Sequence, residues 1–154
     1  VKKLFVASLS LAILSAPVLA GVQIEEPWVR ATVAQQKASG AFMMLTASKD
    51  ARLVGASSPA AGVVEIHEMK MESQIMRMRR IEAVDLPAGE VVTLAPGGHH
   101  VMLMDLVAPL SEGGEVALTL TIEYADGTRE SLEVAAPVRS LSHRPSGGHG
   151  HHMR

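Results

Sequence analysis

The stretch Glu115-Val116-Ala117-Leu118-Thr119-Leu120-Thr121-Ile122-Glu123-Tyr124 sets Val116, Leu118, Leu120 and Ile122 on one side of a period-two pattern, with Ala117, Thr119, Thr121 and Glu123 on the other. Side chains of an extended chain alternate between faces, so this segment is predicted to be a strand with one buried face. Asp126-Gly127 suits a tight reversal, and Ser131 to Val138 reads as the hairpin partner. Outward from this pair, Gly40 to Thr46 and Val63 to Met69 read as further strands. Turn signals stand at Ser58-Pro59, Pro87-Ala88-Gly89, Pro96-Gly97-Gly98 and Gly113-Gly114. No long amphipathic helix is evident. This punctuation predicts one all-β domain, a sandwich or barrel. Trp28, Phe42 and Tyr124 are the aromatics outside the leader, and their expected role is core packing.

The two ends differ from this core. Lys2 and Lys3 precede an apolar run from Leu4 to Leu14, and Ser15-Ala16-Pro17-Val18-Leu19-Ala20 supplies small residues for cleavage after Ala20. Residues 1–20 are therefore expected to be a signal peptide, with an uncleaved anchor as the alternative. The run is short of the roughly 20 apolar residues that span a bilayer, and no later stretch approaches that length. The expected mature protein is soluble and exported, without a membrane span. After residues 21–138, the domain, the chain turns to Ser, Gly and His, and residues 139–154 are expected to form a flexible tail.

Composition removes several classes of function. The 154 residues carry 14 Lys+Arg against 16 Asp+Glu, a formal net charge of −2, which does not suit a general nucleic-acid binder. The absence of cysteine excludes disulfides, Cys zinc sites, thiol catalysis, the thiolate of a blue-copper centre and the usual lipid-attachment residue. Against that stand 9 Met and 7 His. No Ser-His-Asp or paired-carboxylate arrangement is evident, and the expected mature end is Gly21 rather than the His of an N-terminal-histidine copper oxygenase. The chain is expected not to be an enzyme.

Strand alternation places Glu65, His67 and Met69 on the face opposite Val64, Ile66 and Glu68. It also groups His100, Met102 and Met104 opposite His99, Val101 and Leu103. Same-face neighbours two apart have Cα atoms roughly 6.6 Å apart, so an imidazole and a thioether can converge on one ion. Pro96-Gly97-Gly98 would turn tightly and set His100-x-Met102 at the mouth of a strand. Residues 69–80 look like two short strands joined by a polar turn, with Met76 and Met78 sharing a face opposite Ile75, Arg77 and Arg79. Thioether with imidazole, lacking thiolate or a carboxylate cluster, selects Cu(I) over zinc, calcium or magnesium. A thioether also persists where a thiol would oxidise.

The spacing of these residues resembles the ligand signature of the PCu(A)C family of periplasmic copper chaperones: His, ten residues, Met, twenty-one residues, His-x-Met. Here His67, Met78 and His100-Val101-Met102 fall at those intervals. Val64 to Met69, Pro96 to Met104 and Trp28-Val29-Arg30-Ala31 are similar to the family's hallmark segments, and the resemblance covers about residues 22 to 138. It implies a cupredoxin-like β-sandwich of Greek-key type. It further implies Cu(I) held by His67, Met78, His100 and Met102, and delivery for assembly of the CuA centre of cytochrome c oxidase. The implied partners are apo cytochrome c oxidase subunit II or a thiol-containing copper-assembly protein. Met69, Met71, Met76 and Met104 have no place in the signature and stand as auxiliary or shielding groups. His99 is expected to point away.

Some family members carry a His- and Met-rich C-terminal extension, and His143, His149, His151, His152 and Met153 resemble one. Flexible imidazoles favour Cu(II), so a second site is expected there, with a cloning remnant or a nonspecific metal sponge as the alternatives. Met43 and Met44 are expected core filler. Arg77, Arg79 and Arg80 form either a solvated face or a dock for an acidic partner. Besides the oxidase chaperone, two readings stay open: a periplasmic copper buffer without a dedicated client, and a β-sandwich interaction module with incidental His and Met.

Overall fold

In the computed structural model, which describes residues 21–143, the alternating segment is a strand paired antiparallel with the last one, from Arg129↔Glu123 to Pro137↔Glu115. Ten strands follow in chain order: β1 (Val22–Arg30), β2 (Ala38–Ala47), β3 (Ala51–Ser57), β4 (Ala61–Glu72), β5 (Ile75–Arg80), β6 (Val84–Leu86), β7 (Val91–Leu94), β8 (His100–Leu106), β9 (Glu115–Tyr124) and β10 (Arg129–Arg139). The described residues contain no helix, so none is long and apolar enough to cross a membrane. Residues 1–20, the expected signal peptide, and residues 144–154, which include His149, His151, His152 and Met153, lie outside the described residues.

The strands run in the order β5-β4-β8-β2-β1-β10-β9-β3-β6, with β7 added beside β2. Insertion of β8 between β4 and β2, and the parallel β1–β10 pair, make the crossing connections of a Greek-key-type sandwich. β3 and β4 lie far apart in this order yet pack together, so the path curls back on itself and the two halves face each other. Between them lies the core, where Leu118, Leu120 and Ile122 of β9 meet Leu45 of β2, Leu53 of β3 and Leu103 of β8. This is a cupredoxin-like all-β fold.

A β-bulge corrects one expectation about the aromatics. On β1, Ile24 pairs with Leu45 and faces the core, but the register shifts between Glu25 and Trp28, where Glu26 takes a positive φ of 47° before Pro27. One extra residue inverts the alternation beyond it. Val29 therefore enters the core, while Trp28 turns to the outer face beside Phe42, ring centroids 4.5 Å apart. Both rings are buried, yet not in the sandwich core; only Tyr124 packs there. Met43 is core filler as expected, whereas Met44, one residue on and opposite Glu25, is only half-buried.

Candidate metal centre

The outer face of the β4-β8-β2 region carries the candidate ligands because its inner face takes the apolar alternates. Ile66, Val101, Leu103 and Ala41 point into the core, which sends His67, His100, Met102 and Gly40 outward. His67 of β4 stands directly opposite His100 of β8, with ring centroids 5.9 Å apart. Met102 lies one rung to one side, opposite Glu65; on the other side Met69 pairs with Met78 of β5. The imidazole pair thus sits between thioethers. A cleft of about 590 Å³ is lined by Met78, His100 and Met102, with Met69, Met104 and Arg30; His67 lies beside it rather than among its lining residues.

Local chemistry leaves one nitrogen of each imidazole free. Ala95 to Gly98 form a turn closed by the Gly98 amide donating to the Ala95 carbonyl at 3.0 Å, with Gly97 at φ 86°. Pro before a glycine at positive φ is the type II arrangement. It aims the Gly98 carbonyl at His100, whose Nδ1 donates to it at 3.1 Å, leaving Nε2 available. His67 is the mirror case: Nε2 donates to Glu65 at 2.8 Å, and Nδ1 is buried without a hydrogen-bond partner. A metal-binding histidine characteristically has its second nitrogen held by a carboxylate or carbonyl. Burial holds the His100 imidazole below its usual pKa, outweighing the Gly98 hydrogen bond, so its unprotonated form persists to lower pH. Among the described residues no group of three or more His, Asp and Glu is arranged to hold a metal.

Trp28, Arg30, Gly40, Phe42 and Glu65 were missed as parts of this site. A Cβ at Gly40 would meet the Phe42 ring at 2.8 Å, so glycine lets that ring lie across β2 and approach His100, centroids 6.2 Å apart. The Arg30 guanidinium lies 5.5 Å from the Phe42 ring. Glu65 is visible in the Glu65-x-His67 alternation, and Trp28 and Arg30 stand in a segment similar to the family's hallmarks, but nothing local signals Gly40 or Phe42. His99 does point away, 3.5 Å from Glu68. Arg77, Arg79 and Arg80 are exposed and face Glu72, Glu68 and Glu65 at 3.6, 2.6 and 3.7 Å, so their charge is largely matched within the hairpin. Of the tail residues, His143 is described and packs edge-on against Trp28, centroids 4.8 Å apart.

The model of the LpqE-like family matches residues 22–138. The chain belongs to that family. Lxx21020 of Leifsonia xyli subsp. xyli, a relative of this LpqE-like chain, is 37% identical over 123 residues, covering 79% of this chain and 72% of that one. Among solved structures, the copper-bound PCuAC domain from PmoF2 matches with a TM-score of 0.62 and 29% identity, over 77% of this chain and 92% of that domain. Apo-DR1885 from Deinococcus radiodurans matches with a TM-score of 0.58 and 27% identity, over 91% of this chain and 93% of that one. The resemblance to PCu(A)C domains carried by the His and Met spacing thus extends to the fold. The family's description includes the word lipoprotein, while the 154 residues contain no cysteine to carry a lipid.

Proposed function

We propose that this LpqE-like chain is a periplasmic copper chaperone that holds Cu(I) through His67, Met78, His100 and Met102. The observation that carries the reading is the opposed imidazole pair, each ring anchored through one nitrogen, with the buried His67 Nδ1 otherwise unpartnered. Leaving such an atom unpaired costs roughly 1–3 kcal/mol, a cost that ligation of an ion removes. The copper-bound PmoF2 domain, similar over most of its length, supports copper as the cargo. Neutral imidazoles and thioethers suit the monovalent ion.

The chemistry is binding and release, without a covalent step. Glu65 and the Gly98 carbonyl orient the two imidazoles, while Met78, 49% exposed, sits where an incoming ligand can displace its sulfur. An acceptor with thiolates draws the ion down an affinity gradient through shared-ligand intermediates. Delivery to the CuA centre of cytochrome c oxidase, through apo subunit II or a thiol-containing assembly protein, is the destination we assign. His143, His149, His151, His152 and Met153 supply a second, Cu(II) site.

Cu(I) competition against a chromogenic chelator tests the core site. His100→Ala and Met102→Leu should each weaken Cu(I) retention by at least about tenfold, the loss produced even by removing a metal ligand's outer partner. The far-ultraviolet circular dichroism should stay unchanged, because both side chains lie outside the core. Unaltered affinity in both variants would remove the assignment. Metal transfer to an apo oxidase domain then separates a chaperone from a buffer.

A further inference from the structure

The β4–β5 hairpin continues the thioether side of the candidate centre outward. Its register pairs Met69 with Met78 and Met71 with Met76, so four methionines occupy two successive rungs of one face. Same-face rungs lie about 6.6 Å apart along a strand, and directly opposed Cβ atoms lie about 5 Å apart, within reach of two thioethers closing on one ion. The inner rung lines the cleft with His100 and Met102. Nearer the turn, Met71 is 60% exposed and Met76 44% exposed.

Core packing does not account for the outer rung. β5 is an edge strand, exposed along its whole length and paired only with β4. Exposed apolar side chains on a sheet edge are an aggregation hazard, and sheet edges are ordinarily blunted by charge. Around the outer rungs the hairpin's ion pairs lie on the other face, where Arg79 meets Glu68 and Arg77 meets Glu72. Along the outer rungs of the ribbon the two faces thus differ in chemistry, ion pairs on one and sulfur on the other, whereas Arg80 meets Glu65 on the sulfur face beside His67. A Ser73-Gln74 turn, both residues at positive φ, closes the ribbon in two residues and holds the methionines in opposed pairs rather than staggered.

We propose that Met71 and Met76, assisted by Met69, form a second binding site, specific for soft monovalent metal ions, one rung outside the His/Met centre. The outer site captures Cu(I) through thioether sulfur alone and passes it to Met78, which belongs to the adjacent rung and to the primary ligand set. Lacking imidazole and carboxylate, it takes Cu(I) or Ag(I) and leaves Zn(II) in solution. Having fewer and weaker donors than the inner centre, it fills second at equilibrium and exchanges faster. The inference rests on the copper reading of the inner site.

Full-length protein carrying ¹³C-methyl methionine, titrated with Ag(I) as a redox-inert stand-in for Cu(I), tests it by methyl NMR. The Met78 and Met102 methyl signals should move with the first additions, and those of Met71 and Met76 with later ones; Zn(II) should move neither outer signal. A Met71→Leu/Met76→Leu variant keeps the apolar surface and should lose the later event. It should also load the inner centre more slowly from a Cu(I)–chelator complex, at unchanged final affinity. Stationary Met71 and Met76 signals while Met78 and Met102 respond would overturn the outer site alone. Responsive Met71 and Met76 beside stationary Met78 and Met102 would support the outer site and overturn the inner assignment.

Discussion

Two hairpins of one sandwich, β9–β10 and β4–β5, close in contrasting ways. In β9–β10, Val116, Leu118, Leu120 and Ile122 are buried, Val134, Ala136 and Val138 answer them from the partner strand, and Gly127 takes the positive φ of 84° that the reversal demands. In β4–β5 the positive φ values fall on Ser73 and Gln74, every residue of β5 is exposed, and the register pairs include Met69 with Met78, Met71 with Met76 and the Glu68–Arg79 ion pair. The first hairpin has residue types that agree with its conformation at each level. The second departs from those preferences where the candidate metal chemistry lies, as expected when a local segment is selected for what it binds.

The largest expected contrast is in core burial. Leu120 is fully buried, so Leu120→Ala should lower the free energy of unfolding by about 3 kcal/mol, whereas exposed Met76→Ala should change it by no more than about 0.5 kcal/mol. Urea unfolding of the two variants measures the difference, and similar losses would erase the distinction between the hairpins.

An intermediate effect should appear at alkaline pH in the stable hairpin. Burial, aided by a hydrogen bond donated to Glu130, pushes the Tyr124 phenol up to about 12. The unfolded chain ionises near pH 10 and the folded one resists. The tyrosine's contribution is therefore fully present below about pH 10 and lost as pH rises through about 12. Urea midpoints over this range should fall more steeply for the native chain than for Tyr124→Phe; parallel curves would mean the phenol is not held neutral.

The smallest effect concerns the strained turn. Gln74→Gly should raise stability by roughly 0.5 kcal/mol, because relief of a left-handed non-glycine backbone slightly exceeds the added entropy of the unfolded glycine. It should leave Cu(I) affinity unchanged. Differential scanning calorimetry with a chelator competition checks both; destabilisation would show that the Gln74 side chain contributes more than its backbone costs.

Much of the architecture was legible because strand alternation is a local property. Val116 to Ile122 could be assigned inward from their own spacing, and so could the division of His100, Met102 and Met104 from Val101 and Leu103. The Asp126-Gly127 and Pro96-Gly97 turns were readable for the same reason, since glycine tolerates the backbone angles these reversals require. Alternation failed at Trp28, where a bulge between Glu25 and Trp28 changed the phase. The arginines are exposed as a solvated face requires, but their pairing was not legible, because it depends on which carboxylates β4 brings near them.

By itself, then, the sequence determined an all-β chain, the donor types and their intervals along the strands, because period-two geometry and side-chain chemistry need no partner. The tertiary structure decided that His67 faces His100, that Glu65 and the Gly98 carbonyl each hold one ring nitrogen, and that Trp28 and Phe42 wall the outer face. Those features follow from register and bulge placement. Both are properties of strand pairs, set when the buried faces of distant segments are matched across one core.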